Sequence, residues 1–262
     1  MNKAIFITGG GSGIGRAVAR LFAERGWRIG LADVSEAGMA ATAALLPDGA
    51  ATMHVMDVRD RDAFAAALAS FAESTGGRID VLFNNAGVAV GGPLAANSWD
   101  EIDRVIGINL TGVVNGAKLG YPYLKATPGS CLLNTSSAAG IYGGPGIGIY
   151  AATKFGVRAL TESLDVEWAA DGIKVRSLMP AFIETPLLQS GVAGSNRNVR
   201  ETVIEGGLEI TPVESVAEAA WAAVHGDRLH TPVGQTARRM MFAARWMPGG
   251  LRKSMKRRSR LG

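Results

Sequence analysis

Short apolar segments alternate along this chain with segments in which apolar residues recur at helical spacing. The apolar segments are predicted strands, at residues 3–8, 28–33, 51–56, 80–84, 131–136 and 174–179. Predicted helices lie between them, at residues 14–25, 67–74, 98–125 and 150–170. Strands that alternate with helices form βαβ units, which build a mainly parallel sheet with helices on both faces. The alternation therefore predicts an α/β fold with one doubly wound domain and about seven strands.

Polar and glycine-rich stretches follow directly after the predicted strands. They are TGGGSG, DVSEAG, DVRD, NNAG, SSAAG and PAFIETP. Right-handed crossovers bring the carboxyl ends of parallel strands to one edge of the sheet, where open α/β folds bind their ligands. We therefore expect the functional residues at this edge.

The composition favours one large folded unit. Hydrophobic residues make up 47% of the 262 residues and charged residues 19%, which allows a large core and argues against extensive disorder. No internal repeat or interdomain linker divides the sequence. We expect one domain over residues 1–237, with a polar, glycine-punctuated lid near 186–212, and a separate C-terminal tail over 238–262.

The sequence shows no pattern typical of export or membrane insertion. No apolar run approaches the about 20 residues that a transmembrane helix needs, and the first apolar run is too short for a signal peptide. The single cysteine, Cys131, cannot form an intrachain disulfide and lies in an apolar run typical of a buried, unreactive thiol. These features favour a cytoplasmic protein, and no metal site is predicted.

The stretch TGGGSGIG at residues 8–15 joins the first predicted strand to the first predicted helix. Gly9, Gly13 and Gly15 let the backbone turn tightly and approach a pyrophosphate, which would bind at the helix N-terminus. Ser12 and Ile14 belong to the same predicted cofactor-binding turn. Its place between strand and helix indicates a nucleotide site of Rossmann type, against the alternative of an ordinary turn.

Asp33 ends the second predicted strand, about 20 residues after the glycine-rich turn. A carboxylate at this place can accept hydrogen bonds from an adenosine ribose and would repel a 2′-phosphate. Its neighbours Ala32 and Val34 carry no positive charge, so the position favours NAD over NADP. The alternative is a solvated carboxylate or a cap for the next helix.

Tyr150 and Lys154 are four residues apart in a predicted helix and therefore share one face. A free tyrosine has a pKa of about 10, and a nearby ammonium or a cationic nicotinamide would favour the phenolate. The pair could then exchange a proton with an alcohol or carbonyl oxygen, past the small side chains of Ala151 and Ala152. The alternative is an ordinary amphipathic helix with a lysine that extends into solvent.

Two further polar residues accompany this pair. Ser137 follows the fifth predicted strand, where its hydroxyl could hydrogen-bond the reacting oxygen. Asn109 lies inside the long predicted helix, although asparagine is an indifferent helix former. Such a residue marks either a local kink or a functional anchor.

Together these motifs resemble those of the short-chain dehydrogenase/reductase family. The resemblance covers about residues 1–225, in the family's order and spacing. It rests on TGGGSGIG, NNAG at 84–87, Asn109, Ser137, the Tyr150/Lys154 pair and PAFIETP at 180–186.

The resemblance implies a role for each matching residue. Tyr150 would be the general acid/base, with Lys154 lowering its pKa and holding the nicotinamide ribose. Ser137 would orient the substrate, and Asn109 would position a water in a proton relay to Lys154. The remaining residues implied in cofactor binding are Asp57 at the adenine, Val58, Asn84, Ala86, Gly87, Pro180, and Ile183 and Thr185 at the carboxamide.

The chain departs from the family pattern in two places. Ala181 follows Pro180, where the family usually has glycine. The valine-aspartate-glycine-glycine strand that helps many members to form tetramers is missing after LHTPVG. The resemblance therefore implies a homodimer through the helices at 98–125 and 150–170, with a tetramer doubtful.

The residues expected to line the substrate pocket are mostly apolar. They are Val88, Val90, Tyr142, Ile147, Phe182, Leu187 and Leu188. Without an arginine to bind a carboxylate or phosphate, they favour a secondary alcohol or ketone with a lipophilic or aromatic body. The predicted function is an NAD-dependent oxidoreductase, and the alternative is a cofactor-binding sensor or scaffold that does not catalyse.

The C-terminal tail concentrates the positive charge of the chain. Of the 27 Lys and Arg residues of the whole chain, nine lie from Arg238 onward, where there is no acidic residue. Residues 1–237 carry 18 basic and 23 acidic residues. Phe242, Trp246 and three methionines lie among the arginines, and Pro248 with two glycines is expected to break any helix. Three interpretations stay open: weak contact with an anionic membrane surface, phosphate contacts to nucleic acid, or closure of the substrate pocket or a dimer contact. The tail holds no base-reading motif, so nucleic acid is not predicted as a partner.

Overall fold

One parallel sheet forms the centre of the molecule in a computed structural model, which describes residues 2–189 and 198–258. Its strands are β1 (Ala4–Thr8), β2 (Arg28–Asp33), β3 (Ala51–Val55), β4 (Val81–Asn84), β5 (Cys131–Thr135), β6 (Lys174–Pro180) and β7 (His230–Val233). The described strands pair in the order β3-β2-β1-β4-β5-β6-β7, and every pair is parallel. The predicted doubly wound α/β fold with about seven strands is confirmed.

Helices cover both faces of the sheet. They are α1 (Gly13–Glu24), α2 (Glu36–Ala43), α3 (Arg61–Ser74), α4 (Trp99–Ile106), α5 (Gly112–Ala126), α6 (Gly148–Glu167), α7 (Val199–Glu205), α8 (Val213–His225), α9 (Gln235–Trp246) and α10 (Pro248–Arg258). Because side chains alternate along a strand, Ile5 and Ile7 of β1 pack in one core while Phe6 packs in the other. The first core lies under α1 and α8, and the second lies under α3 and α5.

The strand order changes direction between β1 and β4. The chain runs outward from β1 to β3 on one side and from β4 to β7 on the other. Such a reversal leaves a crevice at the carboxyl ends of the strands. The glycine-rich turn after β1 and the NNAG stretch after β4 therefore lie side by side.

The long helix predicted over 98–125 is interrupted. Its first part, α4, begins after Ser98, whose side chain and Glu101 form a reciprocal capping box. A π-helical turn at Gly107–Thr111 then separates α4 from α5. The wider turn carries Asn109 into the interior, where it is fully buried. The unfavourable asparagine therefore coincides with a local irregularity of the helix, the π-helical turn.

Within the described residues the C-terminal tail is helical up to Trp246 and again over Pro248–Arg258, so the predicted break is present at Met247, directly before Pro248, whereas the prediction that the two glycines also break any helix is wrong. Pro248 is the first residue of α10, a position where proline needs no hydrogen-bond partner for its nitrogen. Gly249 and Gly250 continue the helix. Only Met247, which separates α9 from α10, leaves the helical conformation, with φ of −136° and ψ of 47°.

The expected lid lies partly within the described residues. Pro186–Gln189 form a 3₁₀ turn, and α7 follows after residues 190–197, which lie outside the described part. Arg200 of α7 donates two hydrogen bonds of 3.2 Å to the Glu184 carboxylate. A β-bridge between Ile183 and Thr211 closes the base of this segment.

The structure also bears on the expectations for Cys131 and for membrane-spanning helices. Cys131 is fully buried in β5, and loss of solvation raises the pKa of its thiol to about 12, as expected for an unreactive thiol. None of the described helices combines the length and apolar character needed to cross a membrane.

Candidate active site

The glycine-rich turn leaves the N-terminus of α1 open. Ser12 is the N-cap residue, but its side chain makes no capping hydrogen bond, and the first turn of α1 holds no acidic residue. Gly9 has φ of +68°, and a Cβ atom on Gly15 would lie 2.1 Å from the Gly9 carbonyl oxygen. Only glycine is therefore compatible with this close turn. The free N–H groups and the helix dipole can hold an anionic group.

Asp33 lies at the end of β2, directly beside this turn. Its Oδ2 accepts a hydrogen bond from the Gly11 N–H at 2.9 Å, and its Oδ1 accepts one from the Ser35 N–H at 3.0 Å. Val34 is 68% exposed and brings no charge. A negative charge is therefore fixed next to the glycine-rich turn, as the sequence predicts.

Asn84 and Asn85 follow one another at the end of β4 but have different roles. Asn84 is buried, and its Nδ2 donates to the Asn134 Oδ1 of β5 at 3.1 Å. Asn85 instead reaches the glycine-rich turn, where its Nδ2 donates to the Thr8 carbonyl at 3.0 Å. Its Oδ1 accepts from the Thr135 hydroxyl at 3.2 Å. Asn84 therefore joins β4 to β5, while Asn85 ties together the ends of β1, β4 and β5.

Sequence reasoning missed Asn85, although it lies within the motif that carries the resemblance. The adjacent asparagines look equivalent in the sequence, and only the pleat of β4 decides which one faces the turn. Thr8 was also missed. Its hydroxyl accepts hydrogen bonds from the backbone N–H groups of Asn85 and Ala86, at 2.9 and 3.0 Å.

Asn109 and Lys154 approach the chain after β4 from one side. Both polar atoms of the Asn109 side chain bind the backbone of Val88. The buried Lys154 donates from Nζ to the Thr135 carbonyl at 2.9 Å. A Cβ atom on Gly87 would lie 3.4 Å from the Asn109 Oδ1 and 3.6 Å from the Lys154 Nζ. Both side chains therefore lie on the same side of the backbone at Gly87.

Ser137 begins the 3₁₀ turn at Ala138–Gly140. Its Oγ accepts from the Ala139 N–H at 3.1 Å and donates to the Pro180 carbonyl at 3.3 Å. The neighbouring Ser136 donates to the Lys154 carbonyl at 2.9 Å. A Cβ atom on Gly140 would lie 2.7 Å from the same carbonyl, so this turn packs directly on α6. Ser136 and Gly140 are positioning residues that the sequence analysis missed.

Tyr150 and Lys154 share one face of α6, with Nζ 5.6 Å from the centre of the tyrosine ring. Burial raises the pKa of Tyr150, and a hydrogen bond with Ser137 acts in the opposite direction. This differs from the expectation that Lys154 lowers the pKa of Tyr150. Burial also lowers the pKa of Lys154 to about 8, so the ammonium form dominates at neutral pH.

The other residues implied in cofactor binding lie around the crevice. Thr185 lies against the glycine-rich turn, since a Cβ atom on Gly13 would lie 3.2 Å from its side chain. Ile183 is buried in the core, so only its backbone is available to a ligand. Asp57 pairs with Arg59 at 2.6 Å, and this hydrogen-bonded pair lowers the pKa of Asp57. Val58 is buried under α5, where its carbonyl accepts from the Asn115 side chain.

The predicted pocket residues differ in exposure. Four of them are half-buried and remain candidates for the lining: Val88, Tyr142, Ile147 and Phe182. Val90 and Leu188 are buried in the protein, whereas Leu187 is 38% exposed. In the C-terminal tail, Phe242 and Trp246 are 60% and 65% exposed, so they do not close a pocket within this chain.

The residues around the crevice fit a dinucleotide. An uncapped helix N-terminus with a close glycine turn suits a pyrophosphate, and a fixed carboxylate beside it suits a ribose. A tyrosine, a serine and an ammonium group then converge beyond Gly87. The arrangement can hold two phosphates and a ribose at one end and can move a proton at the other.

Comparison with known proteins agrees with this geometry. A family model described as short chain dehydrogenase matches residues 3–195. The meso-2,3-butanediol dehydrogenase of Serratia marcescens is 39% identical over 184 residues, which cover 70% of this chain and 72% of that protein. The levodione reductase of Leifsonia aquatica is 33% identical over 223 residues, which cover 83% of each chain.

A solved structure extends the similarity over almost the whole chain. It is a short chain dehydrogenase/reductase from Burkholderia phymatum in complex with NAD. The two chains are 28% identical and superpose with a TM-score of 0.83, over 97% of this chain and 95% of the other.

Proposed function

The chain belongs to the short-chain dehydrogenase family, and we propose that it transfers a hydride between NAD(H) and a secondary alcohol or ketone. The observation that carries this proposal is the convergence of Ser137, Tyr150 and Lys154 at the end of the crevice that begins with the glycine-rich turn. Both curated relatives described above are named for alcohol or ketone chemistry. A bound nicotinamide would supply the hydride donor or acceptor.

Tyr150 is proposed to hold the proton that the substrate oxygen gains or loses. Because burial raises its pKa, the phenol is neutral at rest, which suits proton donation to a carbonyl oxygen during reduction. During oxidation the phenolate must form, and the Lys154 ammonium stabilises it together with the positive charge of an oxidised nicotinamide.

Ser137 is proposed to hold the substrate oxygen beside Tyr150. Its hydroxyl now donates to the Pro180 carbonyl at 3.3 Å, a long hydrogen bond that a substrate oxygen can replace. Asn109 would act one step further away, by fixing the Val88 backbone beside Lys154 and by holding a water that relays the proton. Lys154 would also bind the nicotinamide ribose.

NAD is the proposed cofactor, with NADP as the weaker alternative. Asp33 supports this choice, because both of its oxygens are held by backbone N–H groups beside the glycine-rich turn. A 2′-phosphate at this place would meet a fixed negative charge. The structural relative from Burkholderia phymatum is in complex with NAD.

The proposed substrate has a lipophilic or aromatic body. The half-buried Val88, Ile147 and Phe182 near the site offer apolar contacts, and Tyr142 offers an aromatic one. In the described part of the chain, none of the predicted lining residues carries a positive charge to bind a carboxylate or phosphate.

A homodimer is the proposed assembly. Large apolar side chains are exposed on α4, α5 and α6, among them Trp99 at 79% and Phe155 at 40%. Large exposed apolar side chains on neighbouring helices favour an interface. At the other edge, β7 runs into α9, so an edge-to-edge tetramer remains doubtful.

The test is a screen at the absorbance band of NADH, with a panel of secondary alcohols and ketones and with NAD and NADP in parallel. Turnover with NAD(H) and lipophilic ketones is the expected result. A strong preference for sugars or acyl phosphates would overturn the substrate proposal. NADH binding without turnover of any compound in the panel would favour the non-catalytic sensor or scaffold.

A further inference from the structure

The C-terminal helices α9 and α10 form a cationic surface that the proposed chemistry does not use. In α9, the exposed side chains Arg238, Arg239, Phe242, Arg245 and Trp246 recur at spacings of three and four residues. They therefore lie on one face of the helix. The opposite face packs inward through the buried Ala237 and the half-buried methionines that follow it. We refer to the five outward side chains as the outer face of α9.

Helix α10 extends this surface. It packs mainly on α9, with Leu251 and Met255 half-buried one helical turn apart. Four cationic side chains point to solvent instead: Arg252, Lys253, Lys256 and Arg257. Within the described part of the chain, none of the basic side chains from Arg238 to Arg257 forms an ion pair. The positive charge of both helices is therefore available to an external anionic partner.

Exposed apolar groups lie among these charges. Phe242, Trp246 and Met247 are 60%, 65% and 58% exposed. Arg245 stacks over the Trp246 ring, at 5.3 Å from its centre. Large exposed apolar side chains on a cationic helix are typical of segments that lie in a membrane interface, where tryptophan and phenylalanine enter the headgroup region.

We infer that α9 and α10 are a docking surface for an anionic lipid membrane. Charge complementarity selects this occupant: the helices carry only positive charge, while residues 1–237 carry 18 basic and 23 acidic residues. An anionic surface would attract the tail and repel the remainder, so the molecule would bind in one orientation. Nucleic acid would satisfy the cations but would leave Phe242 and Met247 in water.

The docking surface lies close to the candidate active site. Helix α9 packs against the 3₁₀ turn at Ala138–Gly140, which follows Ser137 directly. A membrane bound at the outer face of α9 would therefore be separated from this turn by one helix diameter, roughly 10 Å, and a lipophilic ketone could pass from the bilayer to the site. This consequence rests on the proposed function, whereas the docking itself does not.

Sedimentation with lipid vesicles tests the docking without any measurement of activity. The full chain is mixed with vesicles of phosphatidylcholine that contain one quarter phosphatidylglycerol, and with vesicles of phosphatidylcholine alone. We expect binding to the anionic vesicles only, with a loss at about 0.5 M salt, where the screening length falls to a few Å. Equal binding to both vesicles, or binding to neither, would overturn the inference.

Matched variants locate the contact. Arg238→Gln with Arg245→Gln removes two charges that flank Phe242 on the outer face, and we expect about tenfold weaker vesicle binding or more. Arg20→Gln with Arg228→Gln removes two exposed charges elsewhere, and binding should stay within about twofold of wild type. Equal losses in both pairs of variants would overturn the assignment of the contact to α9 and α10, because net charge alone would then account for binding.

Two further measurements separate the other occupants. Phe242→Ala with Trp246→Ala keeps every charge, and weaker vesicle binding is expected because both side chains are exposed and enter the bilayer interface. Full retention of binding by this variant would contradict the insertion of these rings. Tighter binding of an RNA oligonucleotide than of vesicles in the same buffer would assign the surface to nucleic acid. Concentration-dependent oligomers that disappear in Arg238→Gln with Arg245→Gln would assign it to a second copy of the chain.

Discussion

The Asn109 side chain binds both polar groups of the Val88 backbone. Its Oδ1 accepts from the Val88 N–H at 2.9 Å, and its Nδ2 donates to the Val88 carbonyl at 2.8 Å. The π-helical turn at Gly107–Thr111 brings this side chain into the interior. Through these two hydrogen bonds, the helix pair α4–α5 sets the position of the chain beside Gly87 and Lys154.

Asn109→Ala should impair both stability and activity. The substitution leaves the N–H and carbonyl groups of the half-buried Val88 without their partners, at a cost of about 1–3 kcal/mol in the free energy of unfolding. The chain beside Lys154 is no longer fixed, so we expect kcat to fall by about tenfold or more. Denaturant unfolding and steady-state kinetics measure the two effects.

Ser130→Ala is the matched control for Asn109→Ala. Ser130 is fully buried and donates to the Leu124 carbonyl at 2.7 Å, at the amino end of β5, away from the crevice. We expect a comparable loss of stability with kcat unchanged. If Asn109→Ala, like the control, lost stability with kcat unchanged, Asn109 would have no positioning role in the site.

Gly15→Ala should weaken dinucleotide binding. The new Cβ atom would lie 2.1 Å from the Gly9 carbonyl oxygen, so the turn must open. We expect the Kd for NADH to rise by about tenfold or more, since the helix N-terminus moves away from the phosphates. Gly249→Ala in α10 meets no atom within 4 Å and should leave the Kd unchanged. Unaltered NADH binding by Gly15→Ala would show that this turn does not hold the cofactor.

Asp33→Asn should weaken the preference for NAD. Removal of the fixed negative charge ends its repulsion of a 2′-phosphate, so the ratio of kcat/KM for NAD to that for NADP should fall by about tenfold or more. Glu36→Gln removes the same charge at an exposed position in the first turn of α2, and the ratio should hardly change. The assignment of Asp33 fails if wild type prefers NADP or if both variants behave alike.

The buried Lys154 predicts a characteristic dependence of stability on pH. Its pKa falls from an ordinary 10.5 to about 8 in the folded protein, so the unfolded chain binds more protons between these values. Burial of the ammonium therefore costs stability fully below about pH 8, and this cost is relieved as the pH rises toward the unfolded pKa.

Lys154→Met isolates this effect. We expect the difference in unfolding free energy between Lys154→Met and wild type to change by about 2–3 kcal/mol from neutral pH to pH of about 10, in favour of wild type. Denaturant titration at both pH values measures it. A difference that is independent of pH would show that the Lys154 ammonium is not desolvated.

The order of strands and helices could be predicted from the sequence because each apolar run ends at a glycine or polar stretch. The strands β1 and β2, for example, end at Thr8 and Asp33, at the residues where the apolar pattern ends. The catalytic candidates could be placed at one edge because parallel strands share their carboxyl ends. The prediction that Tyr150 and Lys154 share one helix face needed only the helical period.

Features that depend on strand register could not be predicted in the same way. The pairing of Asn84 with Asn134 across β4 and β5 leaves Asn85 to bind the glycine-rich turn, and no periodicity distinguishes the two asparagines. The π-helical turn at Gly107–Thr111 also depends on the tertiary contact of Asn109. The helix that begins at Pro248 could not be predicted from the proline alone, because proline interrupts a helix but also favours the first position of a new one.

The most direct test of the proposed chemistry compares Tyr150→Phe with wild type, in turnover of the best ketone and in NADH binding. Tyr123→Phe, on α5 outside the site, is the control for loss of a tyrosine hydroxyl. We expect Tyr150→Phe to lower kcat by about 10²–10⁴-fold while the Kd for NADH stays within about twofold of wild type. Activity of Tyr150→Phe within a few-fold of wild type would contradict the role of Tyr150 as the general acid/base.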